Sequence, residues 1–113
     1  MIFTASQQFT TLLGLLTIVP AGHGAVCFTI ENTVIYVDPY SATTDYGRYP
    51  KADIVFFTHD HADHYDPKAL EHIVTSHTLF VGPECMEKHL ELEKTLRNGD
   101  FFKLRMTDNN CII

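Results

Sequence analysis

The chemistry this sequence could perform is concentrated in one stretch, Thr58-His59-Asp60-His61-Ala62-Asp63-His64-Tyr65-Asp66. Side chains at i and i+2 of an extended chain point the same way, so His59 and His61 can converge on one ion. A turn after His61 would carry Asp63 and His64 round to a neighbouring ion. Imidazole nitrogen and carboxylate oxygen are ligands that suit zinc, iron or manganese, and the absence of thiolates argues against a closed structural zinc site. Two such ions, held about 3.5–4 Å apart, would share a water and lower its pKa, giving a nucleophile near neutral pH. The plainer alternative is a solvated surface turn in which Asp66 merely caps the next helix. A His-x-His-x-Asp-His run directly after a buried strand fits that alternative poorly.

The elements that must hold these side chains can be read on either side. Residues 53–57 form an apolar strand that runs straight into the motif. Residues 15–19, 25–31 and 33–37 read as earlier strands, the last two joined by a tight turn at Asn32. Residues 34–37 are almost continuously apolar, as expected of a strand covered on both faces. Asp38-Pro39 stops that strand, because Pro lacks the donor a ladder needs. The polar segment 41–50 reads as a loop on the side of the site. Asp66 as N-cap and Pro67 at the first helical position open a helix that carries Leu70, Ile73 and Val74. Residues 78–81 read as a strand. Gly82-Pro83 opens a second helix bearing Cys85, Met86, His89 and Leu90, Asn98-Gly99 is a turn, and residues 101–106 a final strand. The order β-β-β-β-α-β-α-β predicts an α/β fold with a mixed, partly parallel sheet and covering helices.

Composition bounds the function. A chain of 113 residues with 45% apolar content reads as one folded domain. A net charge of −6 repels phosphate backbones, so no nucleic-acid partner is expected. A bound cation would still admit a phosphorylated small molecule. Cys27, Cys85 and Cys111 are widely spaced and odd in number, which signals no disulfide framework. Cys27 and Cys85 are expected as small buried apolar groups. Residues 9–21 are apolar but follow no Lys or Arg and are interrupted by Gly14 and Pro20. They read as a core strand with its lead-in, not as a signal peptide or a transmembrane segment. The expectation is a soluble, cytoplasmic protein.

His59-x-His61-x-Asp63-His64 resembles the HxHxDH signature of the metallo-β-lactamase superfamily. Val37-Asp38-Pro39 resembles that family's upstream strand ending in Asp. Gly22-His23-Gly24 resembles the Gly-His motif of its lactonase- and phospholipase-like subgroup, as do Asp45-Tyr46, Pro50-Lys51-Ala52-Asp53 and Asp66-Pro67. The resemblance spans residues 15–104. It implies a metal-dependent hydrolase that turns a metal-activated water on an ester, lactone or phosphodiester bond of a small-molecule substrate. It implies His59 and His61 as ligands of a first metal, and Asp63 and His64 as ligands of a second. Asp63 would also handle the proton of the attacking water. Asp38 would orient the motif loop, and His23 would support the site. Asp60 and Asp66 receive no ligand role, and His72, His77 and His89 are expected on surfaces or helix faces.

The family fold is an αβ/βα sandwich of two similar halves, whose complete site takes a further His, a bridging Asp and a final His from the second half. Residues 1–113 are therefore expected to form a single, truncated domain equivalent to the N-terminal half. One apolar sheet face would lie uncovered, and a homodimer or a second chain would complete the fold. Zinc is the expected metal, with two ions in a complete site; iron or manganese would also suit. Two alternatives stay open, a catalytically inactive fragment and a partner-dependent binding module that retains half a metal site.

Overall fold

Strand residues of this chain alternate between two apolar faces, and that alternation organises the molecule. In the computed structural model, which describes residues 6–12, 14–101 and 103, seven strands form one sheet in sequence order. β1 (Gln7–Thr11), β2 (Gly14–Pro20), β3 (Val26–Ile30) and β4 (Thr33–Val37) pair antiparallel. β5 (Ile54–Phe56), β6 (Leu79–Gly82) and β7 (Lys94–Thr95) continue from β4 in parallel. The sheet is mixed and partly parallel, as expected, and α1 (Pro67–Ile73) covers it with the predicted Asp66 cap and Pro67 start.

Parallel pairing requires crossovers, and all three here bury apolar side chains on the same face. The first supplies Tyr46, the second Phe57, Ala69, Leu70 and Ile73, and the third Met86; they meet Val19, Cys27, Tyr36 and Val55 of the strands. Tyr36, Tyr46 and Tyr49 pack ring to ring at 5.3–6.4 Å, and Tyr36 Oη donates to the Pro50 carbonyl at 2.6 Å. Burial pushes the Cys27 thiol up to about 11 and the Tyr36 phenol higher still, so both stay neutral core groups. Cys85 is only half-buried.

The opposite face is smaller and barer. Ile35, Ile54 and Val81 are buried there, flanked by the partly buried Phe28, Phe56 and Leu96. Register lines up Ile18, Phe28, Ile35 and Ile54 in one row across four strands. Among the described residues, the helix and both 3-10 turns place their buried side chains on the first face, so Leu16, Ile18, Phe28 and Ile30 remain half-exposed. No described helix is long and apolar enough to cross a membrane.

Three elements differ from the sequence reading. Residues 9–21 are not one strand with a lead-in but a hairpin, which turns before Gly14 at φ 116°, and β1 is exposed throughout. The predicted second helix is only the 3-10 turn Glu84–Met86. Residues 83–93 must bridge β6 to β7, and a full helical crossover takes about a dozen residues or more; the chain instead drops Met86 and Leu90 into the core, and Glu93 N already donates to Phe80 O at 2.7 Å. The predicted strand 101–106 lies largely outside the described residues, while the short β7 precedes it.

Candidate metal centre

β4 and β5 end side by side, and their ends build the site. Val37 pairs with Phe56, and Asp38 N donates to Phe56 O at 3.0 Å, which sets Asp38 next to Thr58. Asp38 turns out of the strand at φ 46°, a left-handed conformation in which Asp is several-fold enriched over most residues. Its side chain is buried, at 2% exposure. Oδ1 accepts from Thr58 N at 2.8 Å; Oδ2 accepts from Thr58 Oγ1 at 2.5 Å and from His64 Nδ1 at 2.9 Å.

These bonds decide where the imidazole protons sit. A carboxylate only accepts, so His64 carries a proton on Nδ1, and in its neutral form the lone pair sits on Nε2, 3.7 Å from Asp63 Oδ2. The single Thr58 hydroxyl proton is committed to Asp38. His59 Nδ1, 2.8 Å from Thr58 Oγ1, must then be the donor in that contact, which puts the lone pair of its neutral ring on Nε2 as well. One carboxylate therefore sets both tautomers, directly for His64 and through Thr58 for His59. This is the way carboxylates commonly orient metal-binding histidines.

Beyond His59 the chain turns: His64 N and Tyr65 N both donate to His61 O, at 2.9 and 2.8 Å. The turn brings the His59 ring within 4.5 Å of His61 and 4.0 Å of His64, centroid to centroid. His23 approaches from the β2–β3 loop at φ 54°, and its Nε2 lies 2.8 Å from Asp63 Oδ2. That hydrogen bond, more than any other influence, holds the Asp63 carboxyl below the usual carboxylate range. Gly24 leaves room for the His64 ring, since a Cβ there would lie 3.1 Å from His64 Cε1. The His23 ring also rests against Tyr40 at 5.3 Å and His64 at 5.4 Å.

All six expected site residues thus come together. Ligand-type atoms fall within 4.8 Å of one another in three overlapping groups: His59, His61 and Asp63; His23, Asp63 and His64; and Asp38, His59 and His64. Nitrogen and oxygen donors so grouped fit a divalent cation. Asp38 belongs to the third group by distance, but both its oxygens already accept from Thr58 and His64, which suits it to orient ligands. The three groups share His59, His64 and Asp63.

Sequence reading missed two participants. Thr58 gave one weak signal, a hydroxyl immediately before the first histidine. His89 is exposed, as expected, but has two partners: its Nε2 lies 3.3 Å from Asp60 Oδ2 and its ring 4.7 Å from Tyr65. The His89 bond, followed by Lys88 at 3.3 Å, keeps the Asp60 carboxyl below its ordinary value. Asp66 does more than cap α1. It accepts from Lys68 N at 3.0 Å and from Ser41 N and Oγ at 2.8 and 2.5 Å, tying the loop after β4 to the helix. Burial alone would raise the Asp66 carboxyl, and the bonds from Ser41 and the helix N-terminus outweigh it and lower it.

Residues 17–111 match the family model described as a beta-lactamase superfamily domain. A solved crystal structure from Parabacteroides distasonis, of a protein named for an inferred metal-dependent hydrolase activity, is 41% identical with a TM-score of 0.78. The alignment covers 85% of this chain and 44% of that one, so this chain spans less than half the length of its solved relative. Among curated proteins none matches.

Proposed function

This chain belongs to the beta-lactamase superfamily, and from that premise we propose that it is a metal-dependent hydrolase centred on His59, His61, Asp63 and His64. The observation that carries the reading is the Asp38–Thr58 arrangement, which engages Nδ1 of His59 and His64 and so puts the lone pair of each neutral ring on Nε2, beside Asp63 and His61. Zinc is the ion we assign; iron or manganese would also suit the donors, and a complete site would hold two ions. When bound, a divalent ion supplies Lewis acidity and lowers the pKa of a water to about 7. Asp63 would accept that water's proton, with His23 fixing its carboxylate through Oδ2. Asp38 would hold the two imidazoles in register. The substrate class is a small molecule with an ester, lactone or phosphodiester bond, and a cytoplasmic setting belongs to the same proposal.

A tight site takes three or more protein ligands per metal. We propose that the remaining ligands lie outside residues 1–113, on further chain, on a second copy or on another protein docked near the motif, and the solved relative's greater length is consistent with a larger whole. The half-exposed apolar row Ile18, Phe28 on the second sheet face supports a covering layer of that kind.

Elemental analysis of the purified chain, beside a His59→Ala/His61→Ala double variant and with solution mass recorded, tests the reading. Near-stoichiometric metal in the parent and none in the variant is expected, with a dimer if ligands are shared between copies. A folded parent that retains no metal after zinc or manganese loading would refute it and favour the inactive or binding-module alternative.

A further inference from the structure

The segment that carries the proposed ligands, residues 59–64, lies outside any helix or strand. It is gripped from outside at both ends by one side chain. Asp60, between His59 and His61, has Oδ2 3.3 Å from His89 Nε2. Tyr65, directly after His64, lays its ring 4.7 Å from the same imidazole at 32°. His89 is itself anchored: its N–H donates to the carbonyl of Met86, whose side chain is fully buried. Tyr65 is anchored too, edge-on against Phe57 at 5.8 Å and 76°. Lys88 Nζ also reaches Asp60 Oδ2 at 3.3 Å, but its side chain is 69% exposed, and an exposed pair of that kind contributes little.

We propose that His89 is a positioning residue for the metal centre: by holding Asp60 and Tyr65 at once, it fixes the ligand-bearing turn in its ion-receiving shape and so sets metal affinity without touching the metal. The inference rests on the metal-centre reading given above. Its physical basis is preorganisation. A loop that must order itself when the ion arrives gives up affinity, and a loop already ordered does not. Both contacts come from the segment after β6, so the third crossover, remote in sequence from the motif, governs its geometry.

The experiment compares zinc affinity, by competition with a chromophoric chelator, and the thermal melt of the metal-free protein across variants. His89→Ala removes both contacts, His89→Gln keeps a donor, His89→Phe keeps the ring, and Lys88→Ala controls for charge. We expect His89→Ala to bind zinc about tenfold more weakly, the scale typical of lost outer contacts, with a metal-free melt close to the parent's. His89→Gln and His89→Phe should each recover part of the loss, and Lys88→Ala should stay within about twofold, as exposed pairs do. Parental affinity in folded His89→Ala overturns the inference and leaves the metal-centre reading intact. If His89→Ala does not fold, the two single-contact variants decide: weakened binding in both supports the inference, and parental binding in both overturns it. A parent that takes up no zinc overturns both.

Discussion

Exchanging Asp38 for Asn tests the tautomer argument at the heart of the site. The substitution keeps shape, and Asn tolerates the left-handed φ of 46° about as well as Asp. Oδ1 can still accept from Thr58 N, but an NH2 group then replaces Oδ2, which now accepts from Thr58 Oγ1 and His64 Nδ1. An amide donor there needs acceptors. His64 must turn Nδ1 into an acceptor and move its proton to Nε2, and Thr58 must accept from the amide and donate its own proton to His59 Nδ1. Both imidazoles then present N–H where they presented lone pairs. Loss of one outer contact typically lowers metal affinity 10–100-fold; with two ligands reversed we predict the upper end, about 100-fold, or roughly 2.7 kcal/mol. Stability should fall by less, within about 2 kcal/mol, because charge-assisted bonds become neutral ones while a buried charge is removed. Zinc titration against a competing chelator, paired with a urea melt of the metal-free chain, separates the two effects. Folded Asp38→Asn that binds zinc within threefold of the parent would refute the tautomer argument.

Two further outcomes follow from groups away from the ligands. Asp66→Ala should cost about 1–2 kcal/mol from the lost helix cap and Ser41 bonds, or about 4–8 °C in Tm. The Asp66 carboxyl is lowered on folding, so its stabilisation is complete above the unfolded carboxylate value of about 4 and is lost as pH falls through the folded value. The gap between parent and variant in urea melts should therefore narrow below about pH 4; a gap that stays constant down to low pH would sink the assignment. Cys27, fully buried and with its thiol raised to about 11, should resist alkylation at pH 8 in the native chain and react on denaturation. Peptide mapping by mass spectrometry that finds rapid native labelling at Cys27 would contradict the core described here.

Much of the site was legible because its residues are close in sequence and its chemistry is dense. Period-two convergence of His59 and His61, the turn after His61, and the Asp66-Pro67 helix start all rest on local rules, and the structure shows each. β2, β3 and β4 were legible for the same reason, as apolar runs bounded by turn residues. β1 was not, because Gln-Gln-Phe-Thr-Thr offers one apolar residue and no period, and only pairing with β2 makes it a strand. The third crossover was read as a helix because Met86 and Leu90 sit at helical spacing, whereas the short span to β7 decides its shape. Asp60–His89 and Asp38–Thr58 are contacts between segments far apart in sequence, and no local pattern announces them.

The same long-range dependence explains why the first crossover matters to chemistry it does not perform. β5 can present Thr58 to Asp38 only if residues 38–53 deliver it in register beside β4, and the Tyr36–Tyr46–Tyr49 cluster, with Tyr36 Oη on the Pro50 carbonyl, fixes that path. Tyr46 Oη also accepts from Tyr40 N at 3.3 Å, and the Tyr40 ring lies against His23. One aromatic cluster thus sets both the arrival of the motif strand and the residue that backs the histidine on Asp63. The carboxylate that orders two imidazoles stands where those constraints meet. A site built this way draws its precision from sheet register and crossover packing, and the histidine-rich turn contributes the donors.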